Sequence, residues 1–90
     1  MAKVLVLDDV FDAVNLMKRI LKATGHDVVG FTEEEDALNY ARSNPVDLAI
    51  LDIKLKKISG LDVLEELKKI APSMRAIMLT GDPTVETAQA

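Results

Sequence analysis

Ninety residues, 49% of them apolar and 29% charged, bound this chain to one small globular domain and exclude disorder as its default state. The formal charge of −4 argues against a nucleic-acid surface, because neutralising phosphates takes clustered Lys and Arg, so any direct DNA contact would need another domain or chain. With no cysteine there are no disulfides and no thiolate metal ligands, and the first apolar run is too short for a signal-peptide core or a membrane span, so a cytoplasmic protein with no membrane segment is expected.

Lys3-Val4-Leu5-Val6-Leu7 reads as a strand buried on both faces, and it delivers two acids, Asp8 and Asp9, at its carboxyl end. Val14, Met17, Ile20 and Leu21 then recur at helical spacing, interleaved with Lys18, Arg19 and Lys22. This predicts an amphipathic helix over 10–24, its dipole complemented by the basic last turns and its end marked by Gly25 as a left-handed cap. Residues 26–31 read as a second strand, weakened by Gly30. Thr32 to Glu35 spell a capping box, in which the threonine hydroxyl serves an orphan amide and Glu35 reaches back to the cap. Ala37, Leu38 and Ala41 form the inner stripe of the helix that follows, which stops before Asn44-Pro45.

The segment 46–54 is the one around which the chain is organised: an apolar run, opened by Pro45, that ends on Asp52. A loop leads to Ser59, an N-cap for a third helix with Val63, Leu64, Leu67 and Ile70 inward, and Pro72 ends it. Arg75 to Leu79 make a fourth strand running into Thr80-Gly81, and Asp82-Pro83-Thr84 open a fourth helix. Strands alternating with helices in this way predict an α/β fold, an open parallel sheet with right-handed crossovers. Ligands of such sheets sit beyond the carboxyl ends of the strands, where strand order reverses. For the order 2-1-3-4 that place lies between strands one and three, so Asp8, Asp9 and Asp52 converge there, with Thr80 one strand further along.

Two carboxylates about 4 Å apart repel by roughly 4 kcal/mol at an effective dielectric of about 20, so a cluster of three calls for a cation. Oxygen ligands alone suit Mg²⁺ or Mn²⁺. The single histidine, His26, opens the second strand at the far edge of the sheet and is read as a surface residue, which makes zinc improbable. An aspartate beside such a metal is suited to attack a phosphoryl group, with Thr80 donating a hydrogen bond to a phosphoryl oxygen and Gly81 leaving room. Singly, a threonine at a strand end is a turn residue and a pair of aspartates is a helix cap; four such residues along one edge point to a site.

Lys3-Val4-Leu5-Val6-Leu7-Asp8-Asp9, Pro45-Val46-Asp47-Leu48-Ala49-Ile50-Leu51-Asp52, Ser59-Gly60-Leu61 and Ala76-Ile77-Met78-Leu79-Thr80-Gly81 together resemble the receiver (CheY-like) domain of two-component response regulators, over the whole chain. The resemblance implies a doubly wound flavodoxin-like sheet, and the strand order given above is partly borrowed from it. It further implies that Asp52 is the phosphoacceptor, and that Asp9, Asp52 and the backbone carbonyl of Lys54 ligate Mg²⁺ directly while Asp8 acts through a bound water. Thr80 is then the switch hydroxyl, and a sensor histidine kinase or phosphotransfer protein supplies the phosphoryl group. Phosphoryl transfer to Asp52 would be self-catalysed at most, with no turnover of small substrates.

The family's fifth strand, with its lysine and its switch aromatic, and its last helix have no counterpart in the sequence, so residues 1–90 read as a receiver truncated before that strand. An open fourth strand predicts self-association, exchange of elements or dependence on a partner. The loop from Lys54 to Ile58 lacks the family's proline and reads as a solvated basic loop, or, more sharply, Lys54 attracts Asp82 across the site mouth and slows hydrolytic water. Two other functions compete: a non-signalling structural fragment or engineered truncation, and an aspartyl-nucleophile phosphohydrolase, which needs a second acid where Lys54 stands.

Overall fold

The computed structural model describes residues 2–53, 55 and 59–79. They form β1 (Lys3–Leu7), α1 (Phe11–Ala23), β2 (Asp27–Phe31), α2 (Glu34–Ser43), β3 (Leu48–Asp52), α3 (Gly60–Ile70) and β4 (Arg75–Leu79). All strand pairs are parallel and the order is β2-β1-β3-β4, the flavodoxin-like arrangement expected.

Alternation along the central strands divides the core in two. Val4 and Val6 of β1 join Val28, Ile50 and Val14 on the side covered by α1. Leu5 and Leu7 turn the other way and pack with Ala49 and Leu51 under Ala37 and Ala41 of α2 and Val63 and Leu67 of α3. Each fully buried Leu or Val contributes about 1.5–3 kcal/mol, so the apolar runs of β1 and β3 fix the sheet's centre. Gly30 lets α1 lie close to β2: a Cβ there would stand 2.3 Å from Val14 Cγ1. Gly25 ends α1 at φ 92°, the left-handed conformation expected of it.

Two local expectations fail. No capping box forms: Glu33, extended at φ −119° and ψ 132°, is the N-cap of α2 and makes no side-chain cap bond. Phe31 stays on the sheet opposite Leu7, and the chain spends Thr32 and Glu33 in crossing from the sheet edge to its face, so the first turn starts later than the sequence pattern suggests. This later start carries Glu34 inward, where it is 7% exposed and its Oε2 has no hydrogen-bond partner among the described residues. On α1, Val14, Met17 and Leu21 pack inward as expected, whereas Ile20 is 51% exposed. The inward stripe is narrower than the apolar pattern because α1 lies mainly over β1 and β2.

Candidate metal centre

Register brings the acids level. Leu7 of β1 is paired with Leu51 of β3, so the next residue on each strand, Asp8 and Asp52, emerges side by side at the carboxyl edge. Asp8 is anchored twice: its N–H donates to Phe31 O at 3.2 Å, and its Oδ1 accepts from Val10 N–H at 2.9 Å. That second bond serves the start of α1, whose N-cap position holds Val10 and so offers no side-chain acceptor of its own. Asp52 is paired with Leu79 of β4, and Ile53 N–H donates to Leu79 O at 2.8 Å, which pins the end of β3.

Asp8, Asp9 and Asp52 each present a carboxylate oxygen within 4.8 Å of the others, and all three are half-buried. At that spacing each like-charged pair costs about 3 kcal/mol at an effective dielectric of about 20. Oxygen donors alone, open to water on one side, suit a hard divalent ion that keeps part of its hydration shell. His26 is remote from them, at the amino end of β2, where its Nδ1 accepts from Ala2 N–H at 3.4 Å. Lys54, Thr80, Gly81 and Asp82 lie outside the described residues, and so do the Lys54–Asp82 attraction and the helix opening at Asp82.

Sequence reasoning missed the steric fit of Gly60. A Cβ on this first residue of α3 would stand 2.0 Å from the carbonyl oxygen of Asp52. The only sign of it is the glycine directly after the N-cap Ser59.

The chain is similar to the alkaline phosphatase synthesis transcriptional regulatory protein PhoP of Bacillus subtilis, with 35% identity over 79 residues covering 88% of this chain and 33% of that protein. It spans only 18–39% of the length of the first three curated relatives it matches. Among solved structures, a CheY-like receiver domain protein from Methanospirillum hungatei superposes with a TM-score of 0.88 at 29% identity, over 99% of this chain and 71% of that one. The response regulator TrrA from Thermotoga maritima, solved with Mg²⁺-BeF, gives a TM-score of 0.85 at 35% identity, over 92% of this chain and 72% of that one. These likenesses agree with a family model that runs over residues 4–90, almost the full length, and so the chain belongs to the response regulator receiver domains of two-component systems.

Proposed function

We propose that this chain is a phosphoacceptor signalling module, in which Asp52 takes a phosphoryl group from a phosphohistidine on a histidine kinase or phosphotransfer protein with Mg²⁺ in the acid cluster. The observation that carries this reading is the gathering of Asp8, Asp9 and Asp52 within 4.8 Å at the carboxyl edge. In the transfer, an Asp52 carboxylate oxygen attacks phosphorus, the N–P bond to the donor histidine breaks, and an acyl phosphate forms while imidazole leaves. Asp9 and Asp52, with the Lys54 carbonyl, would hold the ion directly and Asp8 would act through water. When bound, the ion supplies positive charge that offsets the carboxylates and the incoming phosphoryl oxygens. Thr80 would close on the phosphoryl group afterwards.

Relatives support the reading. TrrA was also solved in complex with the histidine kinase ThkA, and a response regulator from Burkholderia pseudomallei was solved with a phosphorylated aspartic acid and a calcium ion. A protein donor also suits the surface: Val10 and Phe11, directly after the acids, are exposed, as are Leu16 and Ile20 further along α1.

The test is to incubate the chain with a small acyl phosphate and Mg²⁺ and weigh it. One added phosphoryl group, lost in Asp52→Asn and in the presence of a chelator, is the expected result. A folded protein that gains no mass refutes the reading and favours a structural piece without signalling. Sustained release of phosphate over many turnovers would favour a phosphohydrolase.

A further inference from the structure

The residue that follows the acceptor is held from both sides. On one side Ile53 N–H donates to Leu79 O of β4 at 2.8 Å. On the other, Gly60 N–H donates to Ile53 O at 2.9 Å, and the α-carbon of Gly60 lies close to the main chain of Asp52 itself. A Cβ at residue 60 would stand 2.0 Å from Asp52 O, 2.9 Å from Asp52 C and 3.0 Å from Ile53 Cα, all of them main-chain atoms with no side chain to swing aside.

The helix has little freedom to retreat. Ser59 Oγ accepts from Leu61 N–H at 3.1 Å, and Ser59 O accepts from Asp62 and Val63 N–H at 3.0 and 3.2 Å, which fixes the first turn. Val63 and Leu67, both fully buried, hold the body of α3 on the sheet. An added methyl would therefore displace the strand end in large part. Asp8 and Asp9 lie in the turn from β1 into α1, so they would not follow.

We propose that Gly60 is a positioning residue for Asp52: its bare α-carbon lets α3 seat on the acceptor's own peptide and sets the distance from Asp52 to Asp8 and Asp9. The proposal rests on the reading of these acids as a Mg²⁺ site. It differs from a role in folding alone, which predicts lost stability with unchanged affinity for the ion.

The experiment compares wild type, Gly60→Ala and Ser59→Ala. The last removes the cap of the same helix turn without adding a Cβ beside Asp52. Mg²⁺ dissociation constants come from amide chemical-shift titrations of folded protein, and stability from urea unfolding in chelator. Expected are a Mg²⁺ affinity at least tenfold weaker in Gly60→Ala and one within twofold of wild type in Ser59→Ala, although both lose stability. Equal affinity in Gly60→Ala and wild type overturns the proposal, as does an equal loss of affinity in both variants. A wild type that binds no Mg²⁺ overturns it together with the reading on which it rests. If Gly60→Ala is unfolded at room temperature, the titration is repeated in the cold with trimethylamine N-oxide, which favours burial. Failure to fold even then assigns Gly60 to the fold and also overturns the proposal.

Discussion

At Asp8 one carboxylate meets two demands, because it joins the acid cluster and also caps the amide of Val10. The two demands separate by substitution. Asp8→Asn keeps an acceptor for Val10 N–H but removes a charge repelled by Asp9 and Asp52; because the group is half-exposed, metal-free stability should rise by only about 1 kcal/mol. Asp8→Ala relieves the same repulsion but loses the cap, so it should be about 1 kcal/mol less stable than Asp8→Asn. Both should weaken Mg²⁺ binding, and urea unfolding with and without the ion reads the two effects separately. Lys3 offers a pH test at the opposite edge of the sheet. The Tyr40 hydroxyl and the Asp27 carboxylate, whose Oδ2 lies 3.0 Å from Lys3 Nζ, hold its pKa above the ordinary 10.5. A raised folded-state pKa gives stability that is complete below the unfolded value and is lost as pH rises through the folded one. The stability gap between wild type and Lys3→Met should thus stay constant up to about pH 10 and narrow beyond it.

Among the elements, the two glycines flanking α1's return to the sheet differ in kind. Gly25 is needed for its backbone, at φ 92° with open space where a Cβ would stand, so Gly25→Ala should cost about 1 kcal/mol of left-handed strain. Gly30 is needed for space: its Cβ would meet Val14 Cγ1 at 2.3 Å and Lys18 Cδ at 2.9 Å. Gly30→Ala should cost about 2 kcal/mol by overpacking. Adding Val14→Ala removes the methyl it strikes, so a double-mutant cycle in urea should give a total loss smaller than the sum of the two single losses. Gly25→Ala with Val14→Ala should be additive.

For the molecule as a whole, the outer flank of β4, which no strand pairs among the described residues, is the feature with the largest consequence. Arg75 N–H and Leu79 O bond toward the β3 side, so strand alternation turns the N–H and C=O of Ala76 and Met78 outward. Ile77, opposite Ile50, extends the face that α1 covers further along the sheet, and Ile77 and Leu79 are 46% and 40% exposed. An unpaired edge beside exposed apolar side chains pairs readily with another chain. We expect this 90-residue chain to self-associate as its concentration rises, and Ile77→Lys to shift it toward monomer without changing Mg²⁺ affinity. Sedimentation equilibrium that shows only monomer at the highest attainable concentration would refute this.

Local pattern was enough to place the four strands, the three helices among the described residues and the acids, since buried strands and amphipathic helices write their periods directly into the chain. Asp8, Asp9 and Asp52 were legible because each follows an apolar run, and β4 was found at its observed bounds of Arg75–Leu79. What depends on contacts between distant segments was legible only in outline: the convergence of Asp8, Asp9 and Asp52 followed from the strand order, itself partly borrowed from the family resemblance, while the exact distances did not. Only the pairing of Leu7 with Leu51 makes Asp8 and Asp52 level. The path from sheet edge to sheet face starts α2 at Glu34 and cancels the capping box, and the position of α1 over β1 and β2 leaves Ile20 outside. The approach of Gly60 to Asp52 likewise exists only once α3 has docked. Residue order dictates which surfaces must be buried, but the distance between two side chains remote in sequence is set by how those surfaces close-pack, and that is decided only in the folded molecule.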